Sequence, residues 1–261
     1  MYPDMHLTIA DKNEIKLDDK NVTLICGDSY MDSLNDFDIV MKSPGIAFLD
    51  VDIKDGTLVT CQTDLFLKFA PLPFAVNNEH LLGEHNRQDI LFALEAAKHF
   101  GVDTAAAERA VEKFSGIEHR MEKVGTFREI TFYNDCIATI PHAVECAVEA
   151  LKNVDTLIFG GMDRGLDYSE FENYLNKSNI KNLIGTPETG HKICDKIEGA
   201  PQKNVYKAAN LDEAVKKAYE VTEKGKICLL SPAASSYNCY KNFEEKGKHY
   251  KKLVREYGKE D

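Results

Sequence analysis

Short apolar runs that end in turn-forming residues characterise the first 70 residues of the chain. Residues 7–10, 22–26 and 37–41 are such runs, and Asp, Asn, Gly, Ser or Pro follows each of them. Continuous apolar runs of this length are typical of buried parallel strands. A helix is predicted over residues 65–69, and Pro71 and Pro73 mark a junction after it. Residues 1–70 are therefore predicted to form a partial α/β unit.

Helical spacing begins at Leu81, and a regular alternation of strands and helices begins at Phe127. Two packed helices are predicted within residues 71–116, where apolar residues recur every three to four positions. Beyond them, strands are predicted near residues 130–133, 156–159, 182–185, 204–206 and 227–230, and helices near 142–151, 168–175, 189–197, 211–222 and 241–257. This alternation predicts a parallel sheet covered by helices. We therefore expect an α/β protein with two Rossmann-like parallel-sheet units, the N-terminal one partial, joined by a short helical segment.

Composition narrows the class of partner and the compartment. The formal net charge of −11 argues against nucleic acid or an anionic membrane as a partner, because phosphate groups would be repelled. Seven cysteines without a Cys-x-x-Cys spacing indicate reduced thiols and no metal site. No stretch reaches the roughly 18 apolar residues of a membrane span. Together with the reduced thiols, this leads us to expect a cytoplasmic protein, and we also expect it to be a monomer.

Polar and glycine residues follow three of the predicted strands. Asn134 and Asp135 follow the first strand, residues 160–165 (Gly-Gly-Met-Asp-Arg-Gly) the second, and residues 231–236 (Ser-Pro-Ala-Ala-Ser-Ser) the last. In an open α/β sheet such loops line one crevice at the carboxyl ends of the strands. For any one loop alone, turn formation is the better explanation. Three of them together favour a ligand site.

Candidate ligand-binding side chains have simpler alternatives. Arg164 presents a guanidinium on a glycine-flanked loop, which suits a carboxylate or phosphate, although it can also pair with Asp163 or Asp167. Arg120 follows a predicted hinge and could reach a phosphate. Asn86 opens a helix, where it could either contact a ligand or cap the helix.

The order of these motifs resembles the Mur ligases, and among them the UDP-N-acetylmuramoylalanine–D-glutamate ligases of peptidoglycan synthesis. The resemblance rests on residues 118–120 (Glu-His-Arg), 133–135 (Tyr-Asn-Asp), 160–165, 230–236 and 241–244 (Lys-Asn-Phe-Glu). It implies that residues 117–261 are the amino-acid-binding domain and residues 1–70 part of the uridine-nucleotide domain. Residues 71–116 would then be the junction and a helical remnant of the central ATPase domain.

The resemblance also implies a reaction and a set of binding residues. Members of the family use ATP and Mg²⁺ to activate the carboxylate of UDP-N-acetylmuramoyl-alanine, which the amine of glutamate then attacks. Glutamate would be held by Thr139, Arg164, Ser236 and Phe243. The ATP side would be contacted by Asn86, Asp89, Arg120 and Asp135, and the uridine nucleotide by Asp11, Ser43, Pro44 and Gly45. No residue is assigned as a metal ligand or as catalytic.

Two departures from the family pattern leave the activity open. The chain has no Gly-x-x-Gly-Lys-Ser/Thr loop, since each Gly-Lys pair is followed by Ile, His or Glu. We therefore expect the ATP and Mg²⁺ sites to be largely missing and the chain alone to be inactive. Ile137 stands where the D-glutamate ligases usually have Lys, so the amino acid could be L-glutamate or another. The rival hypothesis is a non-catalytic binding or interaction protein.

Overall fold

The structure is a computed structural model that describes most of the 261-residue chain. The described residues are 7–11, 14–17, 20, 22–30, 32, 36–37, 39–41, 57–59, 71–197 and 201–259. The chain divides into two compact units. The first consists of Met1–Pro73 with Gln88–Glu108, and the second of Phe74–Arg87 with Arg109–Asp261.

The first unit contains two pairs of parallel strands. Strand β1 (Leu7–Asp11) pairs with β2 (Val22–Cys26), and β3 (Ile39–Met41) pairs with β4 (Thr57–Val59). The strands predicted at 7–10 and 22–26 are confirmed, and residues 39–41 of the strand predicted at 37–41 form β3. The expected deep burial is not seen in β1 and β2. Each of these two has one described neighbour, and Leu7 is 52% exposed. The helix predicted over residues 65–69 lies outside the described residues.

Two helices follow, as predicted from the spacing of apolar residues. They are α1 (Glu84–His99) and α2 (Thr104–Lys113), and the boundary between the units falls within both of them. In the second unit, Asn78 fixes the segment before α1 to the end of α2. Its Nδ2 donates to the carbonyl oxygens of Val111 at 2.7 Å and Phe114 at 2.8 Å.

A six-stranded sheet forms the centre of the second unit. Its strands are β5 (Glu122–Phe127), β6 (Ile130–Asn134), β7 (Val154–Phe159), β8 (Asn182–Gly185), β9 (Asn204–Lys207) and β10 (Ile227–Leu230). Their order is β5-β6-β10-β7-β8-β9. All neighbours are parallel except β5 and β6, which form an antiparallel pair. The five parallel strands confirm the predicted Rossmann-like α/β unit.

Strand β5 was missed by the sequence analysis. It lies at the edge of the sheet, and none of its residues is fully buried. A strand at the edge of a sheet can contain polar residues and glycine, because it is not covered on all sides. The sequence of β5 (Glu-Lys-Val-Gly-Thr-Phe) therefore lacks the continuous apolar run that marks a buried strand.

Helices cover both faces of this sheet. They are α3 (Pro141–Leu151), α4 (Ser169–Lys177), α5 (Thr189–Ile197), α6 (Leu211–Val221) and α7 (Phe243–Tyr257). Leu157 and Phe159 of β7 pack in a core with α3, α4 and α5, whereas Ile158 packs with α6 and α7 on the other face. Within the described ranges, no helix is both long and apolar enough to cross a bilayer.

Helix α7 begins two residues later than predicted. The Oδ1 atom of Asn242 accepts a hydrogen bond from the amide of Glu245 at 2.9 Å, so Asn242 is the N-cap. The predicted start at residue 241 did not take this capping preference into account.

Candidate functional site

The three polar loops predicted to share a crevice are joined by backbone hydrogen bonds. We name them the aspartate loop (residues 134–139), the glycine loop (160–166) and the serine loop (231–240). They follow β6, β7 and β10, which are neighbours because β10 lies between the other two. The amide of Asp135 donates to Leu230 at 2.8 Å, that of Gly160 to Pro232 at 2.8 Å and that of Met162 to Ser235 at 2.7 Å.

The glycine loop requires glycine at its first two positions. Gly160 has a φ of 115°, and a Cβ built there would lie 2.3 Å from the carbonyl oxygen of Thr186. A Cβ on Gly161 would lie 2.2 Å from the carbonyl oxygen of Ser235. The glycines therefore allow the glycine loop to lie directly against its neighbours.

Arg164 and Thr139, two of the predicted glutamate-binding residues, are brought together. The Nη2 atom of Arg164 donates to the carbonyl oxygen of Thr139 at 3.1 Å. Surface pairing with Asp163 or Asp167 was the alternative role for Arg164, but these carboxylates have other partners. Asp163 pairs with Lys192 at 2.5 Å, and Asp167 accepts hydrogen bonds from Ser169. The exposed guanidinium can offer its remaining donors to a ligand.

The other two predicted glutamate-binding residues lie on the serine loop and at the start of α7. Ser236 is 3% exposed, and its buried hydroxyl has no hydrogen-bond partner among the described residues. Phe243 is half-buried, and its ring meets that of His119 edge to face with a centroid distance of 6.0 Å. A buried hydroxyl without a partner is unusual in a folded protein and indicates a missing ligand or water.

Asp135 is a buried carboxyl group with two internal donors. It accepts hydrogen bonds from the hydroxyl of Ser231 at 2.7 Å and from the amide of Met121 at 3.1 Å. Burial raises the pKa of Asp135 to about 6, while these hydrogen bonds and the charge of Arg120 act in the opposite direction. Arg120 is exposed, and its charge acts on the pKa of Asp135. The assignment of both residues to the ATP side stays a prediction.

A cluster of Glu118, His119 and Glu122 has the composition of a metal site but is filled by an ammonium group. Potential ligand atoms of the three residues lie within 4.8 Å of one another. The Nζ atom of Lys251 donates to both carboxylates, at 2.7 Å and 2.8 Å. Asn134 donates to Nδ1 of His119 at 2.9 Å. Because the ammonium of Lys251 already bridges the two carboxylates, where a metal cation would otherwise bind, we interpret this cluster as an ion-pair network that fixes the 118–122 turn against α7.

Of the remaining predicted residues, three are described and belong to none of the three loops, and three lie outside the described residues. Asn86 is buried in the second unit, and its Nδ2 donates to the carbonyl of Leu82 at 2.7 Å, so this part of its side chain has a structural role. Asp89 is exposed on α1 in the first unit, and Asp11 ends β1 in that unit. Ser43, Pro44 and Gly45 lie outside the described residues. Their predicted roles stay predictions.

Lys246 is a site residue that the sequence analysis missed. Its side chain is buried, and its Nζ atom donates to the carbonyl oxygen of Gly160 at 2.9 Å. Helical periodicity provided a signal, because Lys246 lies one turn before the fully buried Tyr250 on the same face of α7. Lysine is so seldom buried that this signal was not used.

Comparison with known proteins supports the resemblance found in the motifs. Residues 119–234 match the glutamate ligase domain family of the Mur ligases. A UDP-N-acetylmuramoylalanine–D-glutamate ligase of Caldanaerobacter subterraneus subsp. tengcongensis is 40% identical over 181 residues, covering 69% of this chain and 40% of the relative. A ligase of the same name from Oenococcus oeni is 36% identical over 242 residues, covering 90% of this chain and 53% of the relative.

The fold is shared with solved peptide ligases. A pseudomurein peptide ligase type C from Methanothermus fervidus aligns with a TM-score of 0.51 and 16% identity, covering 67% of this chain and 36% of that chain. The chain spans about half the length of the curated relatives it matches. The matched region, residues 119–234, contains the aspartate and glycine loops and the first part of the serine loop. The chain therefore belongs to the Mur ligase family and carries that family's glutamate ligase domain.

Proposed function

We propose that the crevice framed by the three loops binds glutamate, and that the chain serves peptidoglycan precursor synthesis in the cytoplasm. The reaction would be the ATP-dependent ligation of glutamate to UDP-N-acetylmuramoyl-alanine, the activity named for its curated relatives. The observation that carries this proposal is the placement of Arg164 against the aspartate loop, with its guanidinium bonded to the carbonyl of Thr139. A planar guanidinium suits the two oxygens of a carboxylate.

The role of these residues in the reaction would be to bind and orient the amino acid. Arg164 would hold a carboxylate of glutamate, while Ser236 donates its unpaired hydroxyl and Phe243 closes the apolar side. Holding the substrate at fixed points reduces the entropy lost on reaching the transition state. The proposal covers both enantiomers of glutamate, because Ile137 stands where the D-glutamate ligases usually have Lys.

ATP and Mg²⁺ supply phosphoryl transfer in the family, but the residues of this chain fit them only in part. Arg120 is exposed and suited to a phosphate, and Asp135 lies beside it with its oxygens engaged by Ser231 and Met121. The sequence provides no P-loop to cradle the phosphates. We therefore assign no step of the reaction to the nucleotide-binding residues of this chain.

Substitution of Arg164 by alanine is expected to weaken glutamate binding. A charge-assisted hydrogen bond contributes about 1.5–3 kcal/mol, so the dissociation constant should rise on the order of tenfold to a hundredfold. Amide shift perturbation during titration with D- and L-glutamate measures the effect. Arg255→Ala removes an exposed arginine near the end of α7 and should leave binding unchanged. Equal affinity of Arg164→Ala and the unchanged chain, or shifts far from the three loops, would refute the site.

A non-catalytic binding protein is the second candidate, favoured by the lack of a P-loop in these 261 residues. We predict that a polypeptide of this sequence releases no phosphate from ATP at a ligase rate of roughly one per second, with UDP-N-acetylmuramoyl-alanine and glutamate present. Phosphate release is the measurement, and an intact relative is the positive control. Turnover at the rate of the relative would contradict this prediction and favour the ligase.

A further inference from the structure

Lys246 is a buried cation for which the described residues provide no counter-charge. Its side chain is 4% exposed, and its Nζ atom has one hydrogen bond, to the carbonyl oxygen of Gly160 at 2.9 Å. Within the described ranges, no carboxylate lies within 4.0 Å of this nitrogen. Lys251 on the same helix is buried in the usual way, because its ammonium is paired with the carboxylates of two glutamates. Burial of an unpaired charge is expensive, so its presence requires a reason.

The position of Lys246 connects it to the loops of the glutamate pocket. Its ammonium donates to Gly160 of the glycine loop, and its helix, α7, begins three residues after the serine loop ends. Ser236, which has the unpartnered buried hydroxyl, belongs to the serine loop. The residues of the pocket therefore lack a counter-charge for Lys246 and a hydrogen-bond partner for Ser236. A bound anion would supply negative charge and hydrogen-bond acceptors.

Support of the Gly160 carbonyl does not by itself explain a charged residue at this position. A neutral donor would satisfy the carbonyl without the desolvation cost of an ammonium. A permanent charge adds an attractive field, and this field is strong where water is excluded. Ile137 contributes no charge to the aspartate loop, and Lys192 is already paired with Asp163 of the glycine loop. Arg164 and Lys246 are hydrogen-bonded to these loops and have no carboxylate partner among the described residues.

We propose that Lys246 is a positioning and specificity residue, whose buried charge holds the glycine loop and selects an amino acid with a side-chain carboxylate over its uncharged amide. This inference rests on the proposed binding of glutamate. The carboxylate of the ligand is the counter-ion that Lys246 lacks, and Arg164 is the group that touches the ligand directly. Glutamate and glutamine differ in this one charge and have nearly the same shape, so their affinity ratio reports the effect of the field.

The test compares glutamate and glutamine affinities by amide shift titration of the full chain. Lys246→Met should lower the glutamate-to-glutamine affinity ratio on the order of tenfold. Lys246→Arg, which keeps the charge, should retain most of it. Lys248→Met is the matched control, because Lys248 is exposed two residues away on the same helix. Amide spectra of each variant establish that the second unit is folded.

A pH titration tests the same inference without changing Lys246. Burial lowers the pKa of Lys246 from its ordinary value of 10.5, so the ammonium should lose its proton as the pH rises towards that value. The affinity ratio should then fall, and the titration of the amino group common to both ligands largely cancels. Ionised thiols at Cys136 and Cys239 would raise the pKa of Lys246, and burial raises the pKa of Cys136 to about 12. A Cys239→Ser background removes the other thiol.

The outcomes distinguish this inference from the proposed function. If glutamate binds through Arg164 but Lys246→Met keeps the affinity ratio, or the ratio is constant with pH, Lys246 has only a structural role. If glutamate produces no shifts near the three loops, the proposed function itself fails. If Lys246→Met does not fold, the pH titration of the unchanged chain and of Lys246→Arg decides. A glutamate-to-glutamine affinity ratio that falls with rising pH in the unchanged chain but not in Lys246→Arg supports the inference. A ratio that is constant with pH in the unchanged chain overturns it.

Discussion

Replacement of Asp155 by alanine should lower the free energy of unfolding of the second unit by about 3 kcal/mol. Asp155 lies near the start of β7 and is 4% exposed. Its Oδ2 atom accepts hydrogen bonds from the side-chain amide of Asn182 at 2.9 Å and from the backbone amide of Glu223 at 3.1 Å. Removing the carboxylate leaves the backbone amide of Glu223 without this acceptor and removes the shortest of the three hydrogen bonds made by Nδ2 of Asn182. A buried donor that loses its acceptor costs more than the hydrogen bond contributed.

The measurement is urea unfolding followed through backbone amide signals of β7 and β8, which report on the second unit alone. Asp195→Ala is the matched control, because Asp195 is an exposed aspartate paired with Lys207 on the surface. Surface pairs contribute about 0–1 kcal/mol, so this control should change stability little. Comparable losses in the two variants would show that the buried network around Asp155 does not hold the sheet together.

Asp155→Ala should bind glutamate as tightly as the unchanged chain under conditions in which the second unit is folded. Asp155 lies near the amino end of β7, whereas the glycine loop follows its carboxyl end, so the two lie at opposite ends of the same strand. Ligands of open α/β sheets bind at the carboxyl ends of the strands. The experiment thus separates residues that stabilise the sheet from residues that serve its site.

The sequence was sufficient to predict the parallel strands of the second unit because their apolar runs are continuous. The position of β10 between β6 and β7 could not be predicted, since the pattern of a strand does not identify its neighbours. That order brings the aspartate and serine loops together and allows Ser231 to donate to Asp135, 96 residues away. The grouping of the loops was predicted from a general property of α/β sheets, and the individual hydrogen bonds were not.

Side-chain partners separated by long stretches of chain were the least predictable feature. Asp163 pairs with Lys192 on α5, so its partner depends on how that helix packs against the glycine loop. Four lysines lie within seven residues on α7, yet Lys246 and Lys251 are buried while Lys248 and Lys252 are exposed. Helical periodicity can distinguish the buried pair from the exposed pair. The charge of lysine alone predicts that all four side chains are exposed, which is wrong for two of them.

Replacement of Asp135 by asparagine should stabilise the second unit at neutral pH and remove one component of its pH dependence. Burial raises the pKa of Asp135 from 3.8 to about 6, so the folded state binds this proton more tightly than the unfolded state. The stability that results is fully present below about pH 4 and is lost as the pH rises through about 6. A shift of about two units corresponds to about 3 kcal/mol. Asparagine does not titrate, and its oxygen can still accept from Met121 while its amide donates to Ser231.

Unfolding free energies of the variant and the unchanged chain, measured at pH 4.5 and pH 7.5, test this expectation because other titrations cancel in the difference. The advantage of Asp135→Asn should grow from pH 4.5 to pH 7.5. Glu118→Gln provides a control of opposite sign, since the hydrogen bond from Lys251 lowers the pKa of Glu118. The stability contributed by Glu118 is present above its unfolded pKa and is lost as the pH falls, so Glu118→Gln should be most harmful at pH 7.5. If the gain in unfolding free energy from Asp135→Asn shrinks or stays constant with rising pH, ionisation of the Asp135 carboxyl group does not destabilise the folded protein. The carboxylate of Asp135 would then be available as a charged ligand at the end of β6 throughout this pH range.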